Sequence, residues 1–414
     1  MSGSAGPRLL LLVPTTTYRT EDFVEAARRL DVELVVAAEK PNALAAALPD
    51  HLLTLPFDDP STAAAVMREY ARTRPIAAVV PVDDATSVVG AAIGEALGLR
   101  ANAPAAVQAT RDKEAMREAL SRAGVRQPGF RVVPASADPR VVAAGVRYPC
   151  VLKPLVLSAS RGVMRADDPD QFVAMWTRLA AILGDPDVQA LGKGAEKILV
   201  EDFVPGVEVA LEGLLTDGRL TTLAVFDKPD PLDGPFFEET IYVTPSRLPK
   251  ATQEAIAECA GRAARALGLS DGPVHVELRI NEAGPCLIEL AARSIGGLCS
   301  RTLRFGTGMS LEEIIVRHAL RWPVVSLERA RPAAGVMMIP IPRGGILEGV
   351  TGLEAARAVP GIEDITISMH QGQRVVPLPE GSAYLGFIFS RGASAADAEA
   401  SLRRAHAALD FSIR

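Results

Sequence analysis

The sequence predicts a mixed α/β and α+β protein that opens with a doubly wound parallel sheet. Two observations carry this. Up to about residue 105, short apolar strands alternate with amphipathic helices, the order that builds a parallel sheet covered on both faces. Beyond residue 129, strands follow one another across tight turns, as in antiparallel sheets. At 414 residues the chain is long for one core, so two or three domains are expected; its pattern divides it into 1–105, 106–325 and 333–414.

In the first part, residues 8–14 (RLLLLVP), 33–38 (ELVVAA) and 76–80 (IAAVV) read as buried strands. Helices are expected at 20–30, with Phe23, Ala26, Ala27 and Leu30 on one face, and at 61–72 and 86–97. Residues 1–7 read as a loose tail. VPTTTYRT stands where a GxGxxG would follow the first strand, so the dinucleotide fingerprint is absent. Residues 81–86 (PVDDAT) fall at a strand's carboxyl end, the ligand edge of such a sheet. Asp84 or Thr86 there meets a substrate or caps the next helix, and capping is the preferred reading.

A net charge of −6 argues against nucleic acid or an anionic membrane as partner. The apolar run 9–13 is too short to span a bilayer and lacks a signal-peptide pattern. Four cysteines (Cys150, Cys259, Cys286, Cys299) show neither CxxC nor zinc spacing and read as reduced thiols of a cytoplasmic protein.

The middle part holds most of the chemistry. A helix over 110–123 turns Ala115, Met116, Ala119, Leu120 and Ala123 inward. Lys113 in its first turn opposes the helix dipole; by position alone it reads as an exposed lysine, with a phosphate as the functional alternative. Residues 148–154 (YPCVLKP) form an apolar strand ending in Lys153, whose ammonium must be paired if buried. The loop 157–163 (LSASRGV) can offer backbone N–H, hydroxyls and Arg161 to phosphates, although no P-loop motif is present. A helix is expected over 170–183 and a turn at 192–194. Strands 198–204 (ILVEDFV) and 207–214 (VEVALEGL) are separated by Pro205-Gly206 and flanked by Glu201 and Glu208, which suggests a crossing between two lobes. A strand at 223–226 leads to Lys228 and a long loop, 230–239 (DPLDGPFFEE), of a kind that is often functional. A short strand at 241–244 and a helix over 253–267 follow.

Residues 274–297 (VHVELRINEAGPCLIELAARSIGG) read as a hairpin. Folded about Ala283, it sets Ile280 opposite Cys286 and Glu277 opposite Glu289. Opposed residues lie about 5 Å apart on one face. Two carboxylates so placed repel unless a cation sits between them, and oxygen ligands suit Mg²⁺; the plain alternative is a hairpin with a wet face. Arg293 and Gly296-Gly297 follow at once. A helix is expected over 310–320 with Ser310 as its start, then an Arg/Pro-rich linker to 332. The last part offers strands at 335–341 and 383–390, a helix over 394–409 capped by Ser394, and a tight turn at Arg343-Gly344-Gly345.

The order of Lys113, YPCVLKP, the small loop, VEDFVPGVEV and the Glu277/Glu289/Arg293 hairpin resembles the ATP-grasp superfamily over residues 1–325. Those enzymes hold ATP between two α+β lobes and join a carboxylate to an amine. DKP at Lys228, GPFFEET and the IELAAR–GG run look most like the L-amino-acid ligases, which form dipeptides. The resemblance implies an ATP-grasp domain over 106–325 with its hinge near 201–206. Lys113 and Lys153 would meet the phosphates, with Lys153 also near adenine. Ser158, Ser160, Arg161, Gly162 and Val163 would form the phosphate lid. Glu201, Asp202, Phe203 and Val204 would be the adenine hinge, and Glu208 would take the ribose. Glu277 and Glu289 would hold one or two Mg²⁺ ions, with Mn²⁺ as substitute. Arg293 would stabilise the acyl phosphate, with Lys228 near the γ-phosphate and His275 near the substrates. Glu238, Arg293, Gly296 and Gly297 would border the substrate pocket.

Two departures stand out. Ala291 replaces the asparagine of a Glu-x-Asn-x-Arg pattern, which leaves a second metal to a bridging Glu289 and leaves room for substrate. The lid is also poor in glycine. The expected partners are a small carboxylic acid and an amine, with a homodimer as the default assembly. The alternatives are a ligase or carboxylase of a nucleotide-like intermediate, an ATP-binding sensor without turnover, and a structural α/β protein.

Overall fold

A computed structural model describes residues 6–42, 47–48 and 50–414; residues 1–5 of the expected tail lie outside the described residues. The first sheet has four parallel strands in the order Leu52–Thr54, Glu33–Ala38, Arg8–Leu12, Ala78–Pro81. Its strands are apolar throughout because both faces are covered. Leu10 and Leu12 pack with Met67 of helix Pro60–Ala71 and Val89 and Ile93 of helix Asp84–Ala96. Leu9 and Leu11 pack with Phe23 of helix Thr20–Arg29 and with Ile314 and Ile315 of helix Leu311–Ala319. Strand Leu52–Thr54 is not foreseen in the sequence: three residues are too few to show a period.

Two antiparallel sheets follow. The smaller runs Phe130–Pro134, Lys197–Asp202, Cys150–Pro154, Met164–Ala166, with helix Pro169–Leu183 seating Phe172, Trp176 and Leu179 on it. The larger has eight strands, from the edge pair Gly284–Ala291 and Gly272–Asn281 through Val207–Thr216, Arg219–Asp227 and Ile241–Thr244 to Ala333–Ile339, Gly386–Gly392 and Ile362–Ile367. Helix Lys250–Ala266 packs Ile256 and Ala260 against Leu211, Val276 and Leu290 of that sheet. The chain passes from the smaller sheet to the larger between Asp202 and Val207. Gly206 has φ +121° there, and a Cβ would come within 2.1 Å of the Ile280 carbonyl, so only glycine fits.

Three expectations change. The helix over 110–123 is two helices, Pro104–Arg111 and Lys113–Arg122. Asp112 between them is extended, and its carboxylate accepts from the N–H groups of Glu114 and Ala115 at 2.9 and 3.2 Å. Residues 321–332 are not a free linker: Gly306 N–H donates to Glu328, Ala330 N–H donates to Arg304, and Trp322, Val324 and Leu327 pack on the core. The expected turn at residues 343–345 leads straight into strand Gly345–Thr351, and Arg343 donates to the Ile413 carbonyl. Strands Ala333–Ile339, Gly386–Gly392 and Ile362–Ile367 extend the larger sheet itself, whereas Arg374–Val375, Gly345–Thr351 and Asp410–Ile413 form a separate three-stranded sheet. The helix start at Ser310 and the N-cap at Ser394 form as read, each as a capping box. No helix among the described residues is long and apolar enough to cross a membrane.

Arg117 ties the parts together. Its guanidinium is buried and donates to Glu201 at 2.6 Å on the smaller sheet and to the Ile288 carbonyl at 2.6 Å on the larger. Removing one partner of a buried ion pair leaves the other desolvated, so Arg117→Met should lower unfolding free energy by about 3 kcal/mol in urea titrations. A loss below about 1 kcal/mol, the range of an exposed pair, would mean that the ion pair does not join the sheets.

Candidate active site

The site is built on the edge hairpin of the larger sheet. Glu277 stands directly opposite Glu289, and His275 opposite Ala291. Nearer the turn the register shifts by one: Arg279, not Ile280, faces Cys286, and Ile280 faces Pro285. The bulge falls at Ile288. It keeps Leu278, Leu287 and Leu290 in the core while Ile288 and Glu289 both line the cleft. Strict alternation cannot reveal such a residue.

The cleft, of about 430 Å³, lies between the two antiparallel sheets and under the carboxyl edge of the parallel one. It brings together Lys113, Lys153, Ser158, Ser160, Val163, Glu201, Asp202, Phe203, Val204, Glu208, His275, Glu277, Glu289, Arg293, Gly296 and Gly297. Lys228, Arg161, Gly162 and Glu238 do not line it.

Lys228 lies beneath the floor. Its Nζ is 2.8 Å from Glu208, in contact with Glu239, 3.6 Å from Glu277 and 5.1 Å from the centre of the Tyr242 ring. Glu208, Glu239 and Glu277 present oxygens within 4.8 Å of one another. Burial, against the pull of Lys228 and reinforced by Glu239, Glu208 and Glu289, pushes the Glu277 carboxyl up to about 8. One ammonium therefore does not balance this group. The donors of this cluster are all carboxylate oxygens, and Glu289, outside it, faces Glu277 across the hairpin, so the residues fit a hard divalent cation such as Mg²⁺.

On the nucleotide side, Lys153 is buried and paired with Glu201 at 2.8 Å, as a lysine on an apolar strand must be. Burial pushes the Glu201 carboxyl up, but Arg117 and Lys153 hold it down at about 2. Glu201 is thus an anchor for two cations, and residues 201–204 line the cleft. Lys113, read by position as exposed, is buried; its Nζ donates to the Leu157 carbonyl at 2.8 Å and lies 3.6 Å from Glu289. Arg279, unassigned in the sequence, joins Glu208 at 3.1 Å to the Val204 carbonyl at 3.0 Å and to the loop at Leu232 and Asp233.

The lid loop carries a correction. Arg161 turns away from the cleft, donating to the Glu380 carbonyl at 2.9 Å and pairing with Asp185 and Asp187 at 2.8 and 2.7 Å. Gly162 N–H donates to the Pro379 carbonyl at 2.9 Å. The loop is therefore fastened to the C-terminal segment, and Ser158 and Ser160 remain over the cleft. The local sequence holds no sign of this, because the C-terminal partners, Pro379 and Glu380, lie more than 200 residues away.

At the far end, Arg293 donates to the Ser294 carbonyl and to Asp84, each at 2.9 Å. Thr86 caps its helix as expected, its hydroxyl accepting from Asp83 N–H at 3.2 Å, but Asp84 does not. Burial pushes the Asp84 carboxyl up, and Arg293 and Arg111 hold it down at about 2. His275 Nδ1 lies 3.1 Å from Glu212, which also accepts from Ile295 N–H at 3.0 Å. Glu212 is a fully buried carboxylate on an apolar strand, so the argument that singled out Lys153 applies to it equally. In the 230–239 loop Glu239 lines the cleft and Glu238 does not: Glu238 meets the Ile341 backbone, and burial raises its carboxyl. Tyr18, Tyr384 and Phe387 complete the wall, with Tyr18 edge-on to Phe387 at 5.7 Å.

The ATP-grasp domain family matches residues 146–302, and the ATP-grasp N-terminal domain matches residues 24–100. The chain carries an ATP-grasp domain. Residues 337–414 match the L-amino acid ligase C-terminal domain 2. The crystal structure of an L-amino acid ligase from Bacillus licheniformis superposes with a TM-score of 0.79 at 25% identity, covering 100% of both chains. Carnosine synthase 1 of Gallus gallus is 31% identical over 81% of this chain and 38% of its own. The alanine–anticapsin ligase of Bacillus subtilis is 28% identical over 54% and 49%. The matches span about half or less of these two relatives.

If the Arg161 contacts fasten the lid, Arg161→Ala should speed amide hydrogen exchange at Gly162 and Val163 by at least roughly tenfold, since three charge-assisted hydrogen bonds are lost. Unchanged exchange would show that Arg161 does not fasten the loop.

Proposed function

We propose that this protein joins a carboxylic acid to an amine, both amino acids or amino-acid-like, at the expense of ATP and through an acyl phosphate. The observation that carries this is the opposed pair Glu277 and Glu289 in one cleft with Lys113, Lys153 and Arg293. The names of the matched ligases support amino acids as substrates. The nucleotide base would lie against the backbone of 201–204, with its ribose towards Glu208 and its phosphates between Lys113 and Lys153. Glu277 and Glu289 would hold Mg²⁺, which would neutralise phosphate oxygens, while Ala291 offers no ligand. Lys228 holds Glu277 and Glu208 in place from below. Arg293, fixed by Asp84, would meet the negative charge of the acyl phosphate and of the tetrahedral intermediate.

Catalysis then rests on positioning and charge neutralisation. The substrate carboxylate attacks the γ-phosphorus, ADP leaves, and the amine displaces phosphate from the acyl carbon. The closed lid keeps water from the acyl phosphate. Four free thiols fit a reducing compartment, where ATP is at hand.

The test is ADP release from ATP and Mg²⁺ with pooled amino acids, deconvoluted in pairs, with product mass. We expect release that needs two amino acids and a product equal to their sum minus water. Release with no pool, or without a condensed product, would contradict the reading. Glu289→Ala and Arg293→Ala should each lower kcat by at least about a hundredfold while the variants stay folded. Wild-type rates in either would remove the roles assigned to these residues.

A further inference from the structure

Among the cations of the cleft, Arg111 is loosely held. Arg111 ends helix Pro104–Arg111, lines the cleft and keeps 26% of its side chain exposed. Among the described residues its guanidinium makes no hydrogen bond, and its ion pair with Asp84 Oδ1 is 3.6 Å long. The neighbouring cations are held more closely: Lys113 by the Leu157 carbonyl, Lys153 by Glu201, Arg279 by Glu208, and Arg293 by Ser294 and Asp84. A planar fork of five donors facing a cleft with none engaged is a site for an oxyanion.

Asp84 explains its placement. One carboxylate oxygen holds Arg293 at 2.9 Å, and the other faces Arg111. A single carboxylate at the edge of the parallel sheet thus sets two guanidinium groups from separate segments side by side. Lys113, two residues after Arg111, also acts on the Asp84 charge. Phosphate-binding and intermediate-binding cations therefore meet at this point.

We propose that Arg111 is a catalytic residue that binds the phosphoryl group as it passes from ATP to the substrate carboxylate, and that Asp84 is the positioning residue that sets it beside Arg293. This rests on the ligase reading of the same cleft. In the step concerned, a carboxylate oxygen forms a bond to the γ-phosphorus. The bond from that phosphorus to the β–γ bridging oxygen breaks, its electron pair leaves with ADP, and no proton moves. Charge gathers on the three equatorial oxygens, where a guanidinium fork can engage two at once.

Two measurements test this. The first needs no acid: inorganic phosphate is titrated calorimetrically into the enzyme with ADP and Mg²⁺. Arg111→Ala should weaken phosphate binding by about tenfold, and ADP affinity should hold within about twofold, because Arg111 meets only the transferred group. Equal phosphate affinity in wild type and variant overturns the proposal. The second is exchange of the β–γ bridging oxygen of labelled ATP with one amino acid present. Arg111→Ala should slow exchange and kcat together by about a hundredfold, and added guanidinium should restore part of the rate. Arg111→Lys keeps the charge beside Asp84 and so guards against misfolding; it should lose about tenfold in kcat for want of the fork. Asp84→Asn should slow both steps without guanidinium rescue. A loss confined to the KM of an amino acid would make Arg111 a substrate-carboxylate holder and overturn the proposal. Absence of exchange in the wild type with every amino acid would instead overturn the ligase reading, while the phosphate titration still decides Arg111.

Discussion

The structure turns on a charge conflict. A hairpin at the edge of the larger sheet sets Glu277 against Glu289, and Glu208 and Glu239 stand close behind. One buried ammonium, Lys228, sits among them. Like charges so near in a partly desolvated place are unfavourable unless a further cation joins them. The bulge at Ile288 makes the conflict compatible with a sound core: it lets two consecutive residues face the cleft while Leu287 and Leu290 stay inside. Arg279 at Glu208 and Lys113 near Glu289 offset part of this charge, and the arrangement suits a further cation.

Ion chains tie the surrounding parts to this point. Arg117 links Glu201 to the Ile288 carbonyl, so the nucleotide wall and the carboxylate hairpin are fixed to the same guanidinium. Arg279 links Glu208 to the hinge carbonyl of Val204 and to the 230–239 loop. Asp84 brings the parallel sheet to Arg293. The lid is held by the C-terminal segment through Arg161 and Gly162. Each of the three sheets that border the cleft thus reaches it through a charged or backbone contact, and the larger sheet runs unbroken into the C-terminal strands.

Much of this is legible in the sequence. Period-2 alternation in VHVELRIN placed Glu277 on the polar face, and the turn NEAGP placed Glu289 opposite it. The lone lysine of YPCVLKP announced a buried ion pair. The bulge escaped because adding one residue leaves composition and local pattern unchanged. The break at Asp112 escaped because its flanking residues keep a helical period across it. Arg161 and Glu238 were misread for another reason: whether a loop side chain faces a cleft or a distant segment depends on tertiary partners. Arg111, Arg117, Arg279 and Glu212 lay among many arginines and glutamates whose burial only the folded chain reveals.

The most direct test of the central claim is Mn²⁺ binding, read by electron paramagnetic resonance, in the presence of a non-hydrolysable ATP analogue. If the opposed carboxylates hold the metal with the nucleotide, Glu277→Gln and Glu289→Gln should each weaken Mn²⁺ affinity by at least about tenfold, as loss of a charged ligand does. The purified variants should keep the wild-type fold. Wild-type Mn²⁺ affinity in both variants would contradict the account and leave the hairpin a wet polar face.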